Sequence, residues 1–174
     1  MANTELEDRV MIEETKETSK RRLFKLCMKG EWGKVVDTYE NDKMAHWARI
    51  TSTGDTALHH AVTYDEYYVV RKLVKLICSE ALAIQNERGN TALHLAASMG
   101  SLKMCECIAS AEPSLLRMRN VDGETPLFLA ALNGRKAAFL CLSYTDQIDL
   151  NNYSMCRRND GDTILHSAIA GDFF

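Results

Sequence analysis

Apolar residues recur along this chain at helical spacing, in short clusters that come in pairs. Leu93, Ala96 and Ala97 form a narrow apolar face that ends at Gly100. Leu102, Cys105 and Ile108 mark a second face that ends at Glu112-Pro113, because proline cannot continue a helical hydrogen-bond ladder. The pair predicts a helix-turn-helix unit. Ala61 and Ala130 hold the small position in neighbouring copies, and Val69, Val70, Leu73, Val74, Phe139 and Leu142 supply further second helices. Alanine at that slot lets helices of adjacent copies approach closely. Leu23, Phe24, Leu26 and Cys27 before Gly30, followed by Val35, Val36 and Tyr39, predict one more pair at the front.

The polar positions repeat more strictly. Thr56-Ala57-Leu58-His59, Thr91-Ala92-Leu93-His94, Thr125-Pro126-Leu127-Phe128 and Thr163-Ile164-Leu165-His166 recur at spacings of 35, 34 and 38 residues, each preceded by a glycine (Gly54, Gly89, Gly123, Gly161). Each threonine can cap a helix through its hydroxyl, and glycine takes positive φ cheaply at the turn before it. A period near 34 with Gly-x-Thr-x-Leu-His resembles the ankyrin repeat. The resemblance implies an all-α solenoid of stacked helix-turn-helix units with short β-hairpin-like turns.

The expected organisation is a disordered acidic tail over 1–19 and an array over 20–174. The array divides into an atypical terminal repeat at about 20–50, repeats at about 51–85, 86–119 and 120–158, and a truncated repeat at 159–174. A terminal repeat without the signature is expected, since one of its faces meets water. The longer connection, residues 145–158, carries Asn151-Asn152 as a turn. Ending inside a first helix leaves Leu165, Ala168, Ile169, Phe173 and Phe174 without the cover a closing repeat gives, so a fragment of a longer protein, or an early-terminated product, is expected.

Segments 88–100 and 120–131, with Cys156-Arg157-Arg158-Asn159-Asp160-Gly161 and Ala168-Ile169-Ala170-Gly171, look like plant ankyrin-repeat proteins that end in a PGG domain. That resemblance covers residues 20–174. It implies a cytoplasmic array followed by a C-terminal membrane region and a role in stress or defence signalling. Asp65 stands where a glycine ends the first helix elsewhere, Phe128 replaces the histidine of the tetrad, and Gly171 comes one position early.

Composition narrows the function. The 174 residues are 46% hydrophobic and 26% charged, ordinary for a globular domain. A net charge of −3 argues against a nucleic-acid surface, and Lys20-Arg21-Arg22 and Arg157-Arg158 are short enough to be solvated surface. No apolar run approaches the roughly 20 residues that cross a bilayer, and no signal peptide opens the chain. The six cysteines are expected to be reduced. Cys105 and Cys107 point to opposite sides of a helix and cannot clamp one ion; Cys105 and Cys27 fill core slots, and Cys78, Cys141 and Cys156 are more open to oxidation. His59, His94 and His166 repeat in register, but repeats stack roughly 8–10 Å apart and zinc needs its nitrogens within about 2.1 Å. They are expected to bond the hairpins. His60 lies on another helix face, and His46 in an irregular stretch beside Trp47. No cofactor or metal is implied, and no catalytic motif appears.

The variable slots remain. By the ankyrin resemblance, hairpin tips and exposed ends of first helices line a concave groove: Ser52, Thr53, Asp55, Thr63 and Tyr64; then Glu87, Arg88, Asn90, Ser98 and Met99; then Val121, Asp122, Glu124, Leu132 and Asn133; finally Asn159, Asp160 and Asp162. Such a mixture of acidic and apolar groups suits a protein partner with basic and apolar groups. The reading that follows is a non-enzymatic protein-interaction module, the cytosolic part of a membrane-anchored signalling protein. A freestanding soluble adaptor is the first alternative, and a metal-binding or enzymatic protein using His and Cys the second.

Overall fold

The computed structural model describes residues 17–145 and 156–171. Helix α1 covers residues 17–28, followed by α2 (Trp32–Asn41), α3 (Ala57–Thr63), α4 (Tyr67–Leu76), the single turn α5 (Ser79–Leu82), α6 (Ala92–Met99), α7 (Leu102–Ala111), α8 (Pro126–Leu132), α9 (Lys136–Thr145) and α10 (Ile164–Ala170). Glu17, Thr18 and Ser19 therefore belong to α1 rather than to the tail. The rest of the tail, the Asn151-Asn152 turn and the terminal phenylalanines lie outside the described residues. Among the described residues there is no strand, only an isolated bridge between Arg157 and Thr163. The all-α reading holds.

The helices pack in two layers. First helices stack as α3, α6, α8 and α10, and second helices as α2, α4, α7 and α9, with α3–α4, α6–α7 and α8–α9 closing each pair. Ala61, Ala96, Ala97 and Ala130 are fully buried between them, with Leu93, Ile108 and Leu142 filling the space between layers. A methyl side chain at the crossing brings neighbouring helix axes close, and the larger residues supply the apolar area.

Helix ends are set by named residues. Thr56, Thr91 and Thr125 of the tetrads have extended backbone and start helices, with φ of −90°, −82° and −89°. Pro126 then sits in the first turn, where a missing N–H costs nothing. First helices close on left-handed residues, Gly30 (φ 69°), Gly100 (φ 81°) and Gly134 (φ 63°), and Asp65 takes the same conformation at φ 58°. Aspartate tolerates that region better than most side chains, so the substitution leaves the helix end in place.

Second helices α2 and α7 are followed by tight 3-10 turns, Lys43–Trp47 and Pro113–Arg117, and α4 by α5. In each 3-10 turn an acid at its start accepts an amide two residues on, Asp42 from Met44 (2.8 Å) and Glu112 from Ser114 (3.2 Å). The stretch around His46 is thus a regular turn. Its ring is buried, stacks on Tyr39 at 5.1 Å, and its Nε2 lies 2.9 Å from the Tyr39 carbonyl. Arg158 to Asp162 form a hairpin of the same kind as the earlier ones, and Leu165 and Ile169 of α10 stand 60% and 62% exposed.

Candidate functional site

The hairpins between repeats are tied by three parallel ladders. On the main chain, Glu87 N donates to Thr53 O (2.9 Å), Val121 N to Arg88 O (3.0 Å) and Asn159 N to Asp122 O (3.0 Å). A second ladder uses long side chains one repeat apart: Arg49 Nη1 donates to Gln85 O, Gln85 Nε2 to Arg119 O (2.8 Å), and Arg119 Nη1 to Arg157 O (2.7 Å). Each also reaches back to the glycine carbonyl of its own hairpin, Gly54, Gly89 and Gly123.

The third ladder consumes several residues that the sequence assigns to the contact surface. Asn86 Nδ2 donates to Asp55 Oδ1 (2.8 Å), and Asn120 Nδ2 donates to Asn90 Oδ1 (3.1 Å) and to Glu124 Oε2 (2.9 Å). Arg158 Nη1 approaches the other Glu124 oxygen at 3.9 Å. Asn86 Oδ1 and Asn120 Oδ1 each also accept two amides of their own turn, shaping it as an Asx-turn does. Burial pushes the Asp55 carboxyl up, and the hydrogen bonds from Thr53 and Asn86 outweigh it and hold it below the usual carboxylate range.

Glu124 is therefore a correction: only 6% exposed, it lies inside the array and cannot line a contact surface. Asp55 and Asn90 are half-buried and already paired. A buried carboxylate needs a donor and a counter-charge; the Asn120 amide supplies the first and the Arg158 guanidinium the second. Ser52, Thr53, Thr63, Tyr64, Glu87, Arg88, Met99, Val121, Asp122, Asn133, Asn159, Asp160 and Asp162 are exposed, and Ser98 and Leu132 half-buried.

The tetrad histidines form a fourth set of ties. The Thr56 amide donates to His59 Nδ1 (3.3 Å), and the Thr91 amide to His94 Nδ1 (3.1 Å). With Nδ1 accepting, the proton sits on Nε2, which donates across the repeat boundary: His59 to Asn90 O (3.0 Å) and His94 to Glu124 O (3.1 Å). Burial lowers both pKa values, that of His94 to about 4. Both rings are neutral at pH 7, and both nitrogens are committed. Phe128 fills the same slot with an apolar ring, fully buried, while the Phe128 amide donates to Thr125 Oγ1. His166 keeps the bond to its own threonine but is exposed.

Cys27 and Cys105 are buried, and burial pushes both thiols up to about 12, which keeps them protonated. Cys78 is exposed; Cys107, Cys141 and Cys156 are half-buried. Among the described residues no three His, Cys, Asp or Glu side chains converge as metal ligands would, and no helix is long and apolar enough to cross a membrane.

Aromatic and thioether groups collect at the other end of the first helices, away from the hairpins. His60 stacks on Tyr64 (centroids 5.8 Å apart, planes at 19°), Phe24 meets the His60 ring edge-on at 6.3 Å, and Trp32 leans on Tyr64 at 6.2 Å. Tyr64 Oη lies 3.8 Å from Met28 Sδ. Phe24, Met28 and Tyr64 remain 37%, 53% and 51% exposed. Met99 precedes Gly100 as Tyr64 precedes Asp65, and is 37% exposed. Sequence reasoning missed Phe24, Met28, Trp32 and His60 because the terminal repeat lacks the tetrad that sets the register. Aligning Gly30 with Asp65 and Gly100 brings these residues to the same end of the array as Tyr64 and Met99.

Residues 39–116 match the family model for ankyrin repeats, in three copies. A probable 26S proteasome regulatory subunit p28 of Saccharomyces cerevisiae is 32% identical over 126 residues, covering 71% of this chain and 54% of that protein. Diacylglycerol kinase zeta of Rattus norvegicus is 34% identical over 112 residues, 63% of this chain and 11% of the kinase. The target of rapamycin complex 2 subunit AVO2 of Saccharomyces cerevisiae is 26% identical over 119 residues, 68% of this chain and 27% of that subunit. The chain thus spans about half of the first of these relatives and a smaller part of the others. Tetrads, left-handed helix ends, paired layers and family match agree: the chain is an array of ankyrin repeats, a fold that serves as a protein-protein interaction module.

Proposed function

We propose that this interaction module holds its protein partner on the strip formed by Phe24, Met28, Trp32, Tyr64 and Met99. One observation carries the reading: the hairpin groups Asp55, Asn90 and Glu124 are spent on inter-repeat bonds, whereas Phe24, Met28, Tyr64 and Met99 stand 37–53% exposed and Trp32, packed partly on the core, leans on Tyr64. Exposed aromatics clustered with methionine give large contact area at low entropic cost, the profile of an interface centre. Exposed hairpin residues such as Thr53, Arg88, Val121 and Asp122 then form its polar rim.

The wider assignment, a cytosolic recognition part of a membrane-anchored protein in stress or defence signalling, rests on the resemblance of segments 88–100 and 120–131 to plant PGG-domain proteins. A second reading, a freestanding adaptor within a larger assembly, is favoured by relatives named as subunits of the proteasome and of a target of rapamycin complex. The transcript across the Phe174 codon decides between the two. A frame that continues into several apolar segments supports the first; a stop codon there supports the second.

The strip itself is tested by placing a photo-reactive amino acid at Tyr64, or at Ser79 on the opposite layer, in cells that express the parent gene. Cross-links to one protein from position 64 and not from 79 support the site. Equal yields from both positions overturn it.

A further inference from the structure

The charge on this array is segregated. Between residues 17 and 34 stand Lys20, Arg21, Arg22, Lys25, Lys29 and Lys34 against only Glu17 and Glu31, a local net of +4 in a chain whose formal charge is −3. Read linearly, Lys20-Arg21-Arg22 is too short to signify, but the fold extends it. Arg21, Arg22 and Lys25 lie on one stripe of α1, and Lys29 in the turn after it and Lys34 of α2 join them around an open pocket, with Leu26 lining it.

Half of these six cations are paired. Lys20 and Arg21 share Glu17, at 3.9 and 3.1 Å, and Lys34 pairs with Glu31. Among the described residues Arg22, Lys25 and Lys29 have no carboxylate within ion-pair distance. A terminal repeat needs a polar outer face for solubility, but it needs no single sign, and mutual repulsion of like charges is a cost. Converging Arg and Lys side chains recognise carboxylates and phosphates, arginine bidentately.

We propose that this pocket on the α1–α2 end of the array is a second binding site, which takes an acidic segment of a polypeptide partner. The open pocket is lined by five cations, by Glu31, whose carboxylate is already paired with Lys34, and by the apolar Leu26, which favours a peptide whose carboxylates alternate with apolar side chains. An extended polyanion fits less well, because outside residues 17–34 the chain is net acidic and repels a nucleic acid or an anionic membrane. The site is independent of the strip at Tyr64, and either can fail without the other.

The test uses the full chain and a fluorescent peptide of alternating Glu and Leu, read by anisotropy, beside a Lys-Leu peptide of equal length. The Glu-Leu peptide binds, more tightly as salt is lowered, and the Lys-Leu peptide does not. Arg22→Glu with Lys25→Glu weakens binding at least about tenfold while the circular dichroism and melting temperature stay within range of the parent chain; Arg22→Gln with Lys25→Gln gives a smaller loss. Equal binding by the reversed variant, equal binding of both peptides, or binding only to RNA or to vesicles of phosphatidylserine would each overturn the proposal.

Discussion

His94 shows how one side chain can tie two repeats together and make the tie pH-dependent. Its Nδ1 accepts the Thr91 amide, its Nε2 donates to the Glu124 carbonyl, and burial depresses its pKa from 6.5 to about 4. Because the folded pKa lies below the unfolded one, the unfolded chain binds the proton first as pH falls. The stabilisation is complete above pH 6.5 and is lost between there and pH 4, by on the order of 3 kcal/mol for this residue. Urea unfolding followed across that range should show stability falling, with the His94→Phe variant falling less steeply. At pH 7 the same variant should be about 1–2 kcal/mol less stable than the parent, since two hydrogen bonds go. The array already accepts a phenylalanine at the equivalent position 128, so the ring itself fits.

At the scale of the element, the hairpins carry the tightest geometry. A Cβ on Gly89 would come within 2.6 Å of the Val121 amide nitrogen and 2.9 Å of Asn120 backbone atoms, at φ 73°. Gly89→Ala should therefore cost at least about 2 kcal/mol, read as a lower urea midpoint with the slope unchanged. Gly161, with nothing within 4 Å of such a Cβ, carries only the conformational strain of its φ of 94°, and Gly161→Ala should cost distinctly less. These contacts also explain what was legible beforehand. Helix pairs, tetrad caps and the need for glycine follow from local periodicity and backbone stereochemistry, so residues such as Thr91, Ala96 and Gly100 reveal themselves in one copy and repeat in the next. Which turn residues face water does not follow, because Glu124 is buried by Asn120 and Arg158, and those partners depend on how one hairpin seats on its neighbours.

Across the whole molecule the array divides its labour. The hairpin edge is a lattice of bonds running from Arg49 to Arg157, and stability in such an array is a sum of repeats and the interfaces between them. The other end of the first helices carries half-open aromatic rings with no such bonds, and the α1–α2 end carries the cations. Tyr64 and Met99 could be placed at the exposed ends of the first helices from sequence because they sit in a repeating slot. Phe24, Met28 and Trp32 could not, because the terminal repeat has lost its register marks and its packing on α3 is visible only in three dimensions. The basic pocket was hidden for a related reason: its cations are spread over two helices and no linear motif joins them.

The central claim, that hairpin residues hold the array and the aromatic strip holds the partner, is tested most directly by measuring unfolding free energy and partner cross-linking together in two variants. Asn120→Ala removes donors to Asn90 and Glu124 and an acceptor for two amides. It should lower stability by about 2–3 kcal/mol while leaving the cross-link yield from a probe at Met28 unchanged at a temperature where the chain stays folded. Tyr64→Ser should do the reverse, changing stability by less than about 1 kcal/mol and abolishing the cross-link. If instead Tyr64→Ser leaves the partner bound, or Asn120→Ala releases it from a folded chain, the division of labour is wrong.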